Sequence, residues 1–304
     1  MAAPMRSTDF RSIVEPILNE SFDGVYDQRA DEWSTVFREQ AGIPRNYHEE
    51  PVLYGFGAAP QLPDGAPVTY QQGGVLFLQR YVYQVFGLAF ALTKVLVEDG
   101  DHIRLGQVYA KHLAQSLVET KELLCANVLN RAFNSAYVGG DGVSLINTAH
   151  PIASGTFSNQ LATAAALSQT SLEQMLIQVR QAVDNNGKKI RLQPLKIVVA
   201  PGNVFQAETL LKSVLRTGTA NNDINPIKSI GLLPEGCSVI SRLTSATNWW
   251  IQTDAPEGMK LLMRRSLEKT MEGDFETDSM RYKATERYQV GFTDPRALFG
   301  TPGA

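Results

Sequence analysis

The chain has few cysteines and no long apolar segment. Its 304 residues include only two cysteines, Cys125 and Cys237. Both have apolar neighbours in the sequence, which is typical of buried thiols in a reducing compartment and not of a disulfide scaffold. The longest apolar run, residues 85–92, is far shorter than the ~20 residues that span a bilayer, and Asp9 and Glu15 interrupt any apolar core of a secretory signal. We therefore expect a soluble, intracellularly made protein that does not bind a membrane.

The chain also lacks a basic excess. It carries 28 lysines and arginines against 31 acids, a formal charge of −3, whereas proteins that bind nucleic acid through much of their surface usually carry clustered positive charge. Hydrophobic residues make up 43% and charged residues 19% of the chain. This composition is typical of a globular protein, and the length favours two domains over one.

Catalytic and metal-binding motifs are missing as well. None of the four histidines has metal-ligand spacing to another ligand; they are His48, His102, His112 and His150. A hydrolytic triad of His150 with a nearby serine has no Gly-x-Ser-x-Gly elbow to support it. A phosphate loop at Gly55 is excluded because Pro60 prevents a helix from starting there. The acids of 268–278 are interleaved with basic residues, so we predict solvated or intersubunit ion pairs. We predict no catalytic, cofactor or metal residues.

The N-terminal quarter is acidic and irregular. Residues 1–50 contain five arginines against ten carboxylates, which gives 5 − 10 = −5, and only a short helix around Ile17 is indicated. We predict an extended arm with helical pieces. Glycine and proline are frequent in 55–79, where segments 68–72 and 75–78 are predicted to be extended and joined by a turn at 73–74. This pattern predicts a projecting hairpin.

The clearest element is a long helix. Apolar residues recur every four positions, and no proline or glycine interrupts 107–134, so the pattern predicts a helix from 102 to about 134 that is roughly 40 Å long. Asp101 is its predicted N-cap. The segment before it, 81–97, is predicted to form a strand followed by a turn around Gly87 or a short helix.

The second half indicates an α/β unit followed by a charged ribbon. Helices and short strands are predicted to alternate at 171–183, 195–200, 203–215, 237–240 and 249–252, with Asn203 capping the third helix. Residues 257–287 carry seven basic and seven acidic side chains, and their alternation predicts long antiparallel strands with one polar face. An arm, a hairpin, a long helix and a ribbon are costly to order on an isolated monomer, so we expect a self-assembling structural protein.

The order of these parts resembles the major capsid proteins of tailed bacteriophages, with the fold named after phage Hong Kong 97, and within them the group similar to the Mu-like major head subunit. The resemblance covers nearly the whole chain. Its matching pieces are the arm, the extended loop, Val-Glu-Asp-Gly-Asp at 97–101 before the helix, Leu-Ile-Asn-Thr-Ala-His-Pro at 145–151, Ile-Val-Val-Ala-Pro at 197–201, Trp-Trp-Ile-Gln-Thr-Asp at 249–254, Asp-Phe-Glu-Thr-Asp at 274–278, and the end 286–300.

The resemblance implies an α+β fold of Hong Kong 97 type with an N-arm, an extended β-hairpin loop, a peripheral domain with a long spine helix and an axial α/β domain. The implied boundaries are 1–54 for the arm, 55–80 for the loop, 81–160 and 257–290 for the peripheral domain, 161–256 for the axial domain and 291–304 for a C-terminal segment. It implies hexamers and pentamers in an icosahedral head around double-stranded DNA, with a portal protein, a possible decoration protein and assembly in the host bacterial cytoplasm. The arm and loop would pair with neighbours.

Three further expectations follow from comparison with that family. Some members join subunits through a lysine of the extended loop, but the first lysine here is Lys94, so we expect no isopeptide cross-links. The arm is too short for a fused scaffold, so we expect a separate scaffolding protein and no N-terminal processing. The spine helix carries four basic residues and two acids, a net of 4 − 2 = +2, which permits only weak, non-specific contact with packaged DNA.

Two alternatives stay open. A cellular nanocompartment shell of the same fold, similar to encapsulins, would enclose a cargo enzyme instead of DNA. The other alternative is a soluble α/β hydrolase that uses His150 and a nearby serine.

Overall fold

A computed structural model describes residues 7–27, 31–42, 44–93, 95–96, 102–216, 223–274 and 279–303. These residues form two four-stranded sheets, two two-stranded sheets and five α-helices. The helices are α1 (Ser7–Tyr26), α2 (His102–Asn130), α3 (Gln169–Arg180), α4 (Val204–Lys212) and α5 (Pro226–Ile230). The strands are β1 (Arg38–Ala41), β2 (Tyr47–Tyr54), β3 (Gly74–Val82), β4 (Gln84–Leu92), β5 (His150–Ile152), β6 (Gly155–Phe157), β7 (Pro194–Val199), β8 (Gly236–Val239), β9 (Trp249–Thr253), β10 (Met259–Gly273), β11 (Met280–Phe292) and β12 (Leu298–Thr301).

The first sheet has the order β1-β10-β11-β4. Strands β10 and β11 form the long antiparallel pair that the charged ribbon predicted, and β4 adds antiparallel to β11. Alternate residues of β11 are buried from Tyr282 to Tyr288 while their neighbours face outward. This period of two confirms the prediction of one polar face.

The spine helix α2 packs across this sheet. Its 29 residues confirm the predicted long helix, although it ends at Asn130, four residues before the predicted end. Asp101, the predicted N-cap, lies outside the described residues. Leu117 and Leu129 are buried on its inner side, so the helix forms the centre of two apolar clusters, one with α1 and one that reaches both large sheets.

The arm differs from its prediction. It contains a 20-residue helix, α1, which packs on α2 of the same chain and is not extended. Val14, Leu18 and Phe22 recur every four residues and are buried. They lie against a stretch of α2 where Ala110 and Ala114 are fully buried. The small side chains of α2 let the two helices approach closely, which is why the arm folds on its own subunit.

The second sheet has the order β12-β9-β7-β8 and lies in a cluster with α3, α4 and α5. Its strands confirm the predicted α/β unit. Ser168 begins α3 with a reciprocal capping box to Ser171, which fixes the start of that helix. Asn203 occupies the N-cap position of α4 but makes no capping bond; its side-chain amide donates instead to the carbonyl of Ala246, so the predicted cap is wrong in its chemistry.

The hairpin is present but shifted along the sequence. Its strands are β2 and β3, paired antiparallel from Tyr47 opposite Val82 to Tyr54 opposite Gly74. The predicted extended segment 68–72 is not a strand, and the predicted tight turn at 73–74 is instead the end of an irregular loop, 55–73. The turn predicted at Gly87 is also wrong, because β4 continues through it.

In the described residues, none of the helices combines the length and apolar character needed to cross a membrane.

Candidate functional site

His150, the residue that a hydrolase would use, is buried among fixed partners. Its Nδ1 lies 2.5 Å from Oδ2 of Asp141, and its Nε2 lies 3.1 Å from Oδ1 of Asn159. No hydrogen bond between a serine hydroxyl and the imidazole is found among the described residues; Ser144, which lies six residues before His150, donates to the carbonyl of Ile146. The geometry therefore gives His150 a structural place and lacks a nucleophile beside it.

Asn159 explains why that place is structural. It is fully buried, and its Nδ2 donates to the carbonyls of Leu145, Pro295 and Leu298. Its Oδ1 accepts from the backbone of Asn147 at 2.8 Å as well as facing His150. One amide thus holds the loop after the spine helix against the end of the chain.

In the described part of the chain, His48, His112 and the two cysteines form no site either. His48 Nε2 lies 2.9 Å from Oε1 of Glu50, and His112 is exposed on α2. Burial raises the pKa of the buried Cys125 thiol and raises that of Cys237 to about 11, so neither is an activated nucleophile. The described residues contain no group of three or more metal-binding side chains.

The charges of the ribbon are paired mostly inside the chain. Lys269 contacts Asp23 of α1 at 2.5 Å, and Arg265 contacts Glu268 at 2.9 Å. Arg281 pairs with Asp274. The pair of Arg265 and Glu268 has side chains 39% and 56% exposed, which confirms the prediction of a solvated pair. The partners of these residues come from α1 and from the ribbon of the same chain. The predicted acids 276 and 278 lie outside the described residues.

Two of the charged residues counted in the net charge of the spine helix, one basic and one acidic, also have partners within the chain. Lys121 is buried and contacts Glu286 at 3.0 Å, and it donates to the hydroxyl of Tyr26 at 2.8 Å. Glu119 receives two hydrogen bonds from Arg242. Lys121 therefore fixes α1 to the sheet and is not available to a nucleic acid.

The most unusual surface is the outer face of the hairpin. Cross-strand pairs of β2 and β3 alternate between two faces. One face is buried or half-buried; the other exposes a row of large apolar side chains. The exposed apolar members are Leu53, Val75, Leu78 and Val82, and the charged pair of Glu49 and Arg80 lies on the same face between Leu78 and Val82. Exposed apolar side chains grouped in this way and bordered by polar residues are typical of a contact surface.

The loop at the far end of the hairpin is more exposed still. Apolar side chains that stand in solvent include Phe56, Leu62, Val68 and Tyr70, and Tyr70 is 95% exposed. The loop surrounds a cavity of about 570 Å³ that is lined only by its own residues, between Phe56 and Gln71. Asp64 is the only charged residue of 55–79. A nearly uncharged loop of this kind gains stability when another surface covers it.

The base of the hairpin is fixed by a buried polar cluster, which we call the base cluster: His48, Glu50, Tyr81, Lys260 and Thr293. Lys260 of β10 is 3% exposed, and its Nζ lies 2.6 Å from Oε2 of Glu50. Thr293 donates to the same carboxylate, and the Tyr81 hydroxyl lies 2.6 Å from Thr293 Oγ1. Burial alone would raise the pKa of Glu50, but the hydrogen bonds from Lys260 and Thr293 lower it.

Two more contacts fix the hairpin along its length. A side chain at Gly140 would collide with the Leu78 carbonyl, 2.9 Å from the position of its Cβ, so glycine lets the turn after α2 lie directly on β3. At the far end, Asn185 donates to the carbonyl of Leu53 at 2.7 Å. The hairpin strands are therefore held by their own subunit, and only the loop 55–73 projects.

A second exposed apolar group belongs to α4, α5 and the chain between them. Phe205 is 85% exposed, and Val214, Ile224 and Ile230 are also mostly in solvent. The interior of this unit is formed by other residues, including Ala207 and Leu210. Both exposed groups offer contact surfaces and neither carries reactive chemistry.

The base cluster was not predicted from the sequence. The available signals were the two-residue spacing of His48 and Glu50 on a strand and a lysine at 260 inside the apolar run 259–263. Neither signal indicates its partner, because Glu50 and Lys260 are 210 residues apart.

Comparison with known proteins agrees with a contact function. The model of a family described as phage capsid protein matches residues 80–300. The chain is similar to the capsid structure of the cyanophage P-SCSP1u, with a TM-score of 0.56, 11% identity and coverage of 88% of this chain and 86% of that chain. It is also similar to the procapsid of bacteriophage JBD30, with a TM-score of 0.53, 13% identity and coverage of 97% and 76%.

A third similar structure is the virus-like particle from Pyrococcus furiosus, with a TM-score of 0.52, 9% identity and coverage of 94% of this chain and 98% of that chain. No curated protein sequence matches the chain. At these identities the structural similarity establishes the fold, which is of the Hong Kong 97 type found in phage capsids, while the family match rests on the sequence itself.

Proposed function

Because this chain belongs to the phage capsid protein family, it is a structural protein of the virion, and we propose that its copies form hexamers and pentamers that close an icosahedral head around double-stranded DNA. The observation that best supports this proposal is the hairpin, whose base is fixed by Lys260 while its loop and several apolar side chains of its outer face stay uncovered. Neighbouring copies would cover these surfaces.

The parts of the chain would have different places in that shell. We assign 81–160 and 257–290 to a peripheral domain and 161–256 to an axial domain, with 1–54 as the arm, 55–80 as the extended loop and 291–304 as the C-terminal segment. In this arrangement Phe205 and its exposed neighbours would meet around the local symmetry axes.

Further partners belong to the same proposal. A separate scaffolding protein would direct assembly in the host bacterial cytoplasm, a portal protein would occupy one vertex, and a decoration protein is a possible outer partner. Contact with the packaged DNA would be weak and non-specific, since Lys111 is exposed on the spine helix and Arg131 directly after it, while Lys121 is buried. Such binding should weaken steeply with added salt.

The test is assembly of the purified chain, alone and co-expressed with the other head proteins of its genome. Sedimentation and cryo-electron microscopy should show closed particles of megadalton mass built from rings of six and five. A chain that stays a small oligomer under every condition would contradict the proposal. Particles that enclose a cargo enzyme instead of DNA would favour the nanocompartment alternative, which the family match does not favour.

The hydrolase alternative has no support in the geometry around His150, whose ring nitrogens face Asp141 and Asn159.

A further inference from the structure

The sheet β1-β10-β11-β4 has a second face, turned away from the spine helix, which we call the far face. On β11, Glu286 reaches Lys121 of the spine helix at 3.0 Å. Because side chains alternate along a strand, the next residue, Arg287, lies on the far face. Arg265 of β10 is directly opposite Arg287 in the antiparallel pairing and shares that face. Two cations therefore stand side by side in the middle of the sheet.

A β-bulge adds a third arginine to them. The register of β10 against β11 shifts just before Arg265, which leaves Arg264 as an extra residue whose side chain the bulge re-aims. Its Nε donates to the carbonyl of Arg45 at 3.4 Å. Nη2 of Arg287 donates to Oδ1 of Asn46 at 2.7 Å. Since residues 45 and 46 are consecutive, the guanidiniums of Arg264 and Arg287 lie on the same side of the sheet, and Arg45 is exposed beside them.

The positive charge of this group is poorly compensated. We call it the arginine cluster; its members are Arg45, Arg264, Arg265 and Arg287. Within the described residues, one carboxylate pairs with any of the four: Glu268 contacts Arg265 at 2.9 Å, which leaves 4 − 1 = +3. Like charges directly opposite each other on neighbouring strands are destabilising. In the described structure, Nε of Arg265 and Nε of Arg287 are also buried without a hydrogen-bond partner, so the cluster would be stabilised by an anion.

We propose that the arginine cluster is a binding site for an oxyanion of the phosphate class. Guanidinium groups bind phosphate through charge-assisted, often bidentate hydrogen bonds. A phosphate group carries about two negative charges near neutral pH, which would offset most of the excess of the cluster. Its tetrahedral oxygens also point in several directions, so one group can bond to arginines that approach from β10, from β11 and from residue 45.

The site is separate from the DNA contact proposed above. Lys111 and Arg131 belong to the spine helix and the residue after it, on one side of the sheet, whereas the arginine cluster lies on the far face. Free phosphate and a nucleic-acid backbone both present the group that the cluster would bind. The experiment therefore includes both.

Calorimetric titration of the unassembled chain tests the site without depending on the proposed function. Inorganic phosphate is titrated at constant ionic strength, with chloride as the reference. We expect saturable binding of one phosphate per chain. Arg287→Gln should weaken the affinity about tenfold, because a hydrogen bond to a charged group is lost. Arg264→Gln should act in the same direction, and it gives the answer if the bond between Arg287 and Asn46 proves necessary for folding.

Lys283→Gln is the matched control. Lys283 is exposed on the far face of the same strand, four residues before Arg287, a separation of about 13 Å. The substitution removes the same charge outside the cluster, so the phosphate affinity should change less than about twofold. An equal loss with Lys283→Gln would show general attraction to a positive surface and would overturn the site. Phosphate that binds no better than chloride would overturn it as well.

A second titration, with a short single-stranded oligonucleotide, separates the two sources of phosphate. Weaker binding of both inorganic phosphate and the oligonucleotide by the Arg287→Gln chain would show that a nucleic-acid backbone enters the site. Weaker binding of inorganic phosphate alone would identify a site for the free anion. Both results support the proposal. An oligonucleotide that binds through Arg287 while inorganic phosphate does not bind would contradict it, because a site built for the phosphate group must bind that group by itself.

Discussion

Asn159 shows how a single buried amide can organise two distant parts of this chain. It lies nine residues after His150 and accepts from that ring, yet it also donates to backbone carbonyls at 295 and 298. Those carbonyls are buried away from water, so the free energy of the folded state depends on this donor. The role of His150 as a structural residue could be predicted from the sequence. The role of Asn159 could not, because an asparagine in a polar loop belongs to no pattern that indicates its partners.

Removal of the Asn159 donor should therefore destabilise the subunit strongly. Asn159→Asp keeps the size of the side chain but replaces the donating group by an oxygen that faces three carbonyls. We expect a loss of at least about 3 kcal/mol in the free energy of unfolding, since each unpaired buried group costs roughly 1–3 kcal/mol. Urea denaturation of the unassembled subunit would measure it.

Asn134→Asp is the matched control. Asn134 is exposed, and its Oδ1 accepts from the backbone of Ala136, a role that an aspartate keeps. Its effect should stay within about 0.5 kcal/mol. Equal effects of the two substitutions would show that Asn159 is not the organising residue.

Among the elements, the hairpin depends most on one charged contact. Lys260 stands on β10, while Glu50 stands on β2, so the pair fixes the angle between the hairpin and the sheet. Lys260→Met removes the cation and leaves Glu50 buried without it. We expect a loss of about 3 kcal/mol at neutral pH, because one partner of a buried pair stays uncompensated. Lys269→Met, which breaks the more exposed pair with Asp23, should cost below ~1 kcal/mol.

The effect of Lys260→Met should depend on pH in a definite direction. The pKa of Glu50 in the folded protein lies below its ordinary value of 4.5, so its stabilisation is complete above that value and is lost as the pH falls through the folded pKa. Glu257, His48 and Tyr81 are further titratable groups in or beside the base cluster. The difference between wild type and variant should therefore shrink below about pH 4.5. A difference that grows in acid would contradict this account of the base cluster.

Elements with strong periodicity could be predicted from the sequence, and elements that depend on a partner could not. The spine helix carries its own four-residue apolar pattern without proline or glycine, which predicts it without reference to a partner. Helix α1 was predicted only as a short piece of an extended arm, because its stability comes from packing on Ala110 and Ala114 of α2. Strand β2 was missed for the same reason: its partner β3 begins 20 residues after it ends.

At the scale of the whole molecule, the net charge of −3 is the small difference between 28 basic and 31 acidic residues, and several of these charges pair within the subunit. The acidic arm and the charged ribbon neutralise each other where Asp23 contacts Lys269, and α2 contributes Lys121 to Glu286. These contacts join the arm, the spine helix and the sheet into one body. The uncovered surfaces of the described residues include apolar ones: side chains on the outer face of the hairpin, its loop, and the group around Phe205. Such apolar surfaces are suited to associate through burial, with salt having little effect on that association.

This division predicts a shell held together without covalent bonds between copies. An isopeptide bond needs a lysine amine, and residues 55–80 contain none, since the first lysine of the chain is Lys94. Assembled particles boiled in detergent should therefore release a single band near the chain mass of 33.4 kDa, because detergent solvates the apolar surfaces that hold the copies together. Particles carrying Asp64→Lys serve as a control, because this substitution introduces an amine into the loop. The gel should show cross-links for these particles only where an acceptor side chain lies close to the new amine. A ladder of covalent multimers from the unchanged chain would show that a lysine outside the loop joins the subunits, and that burial is not what holds this shell together.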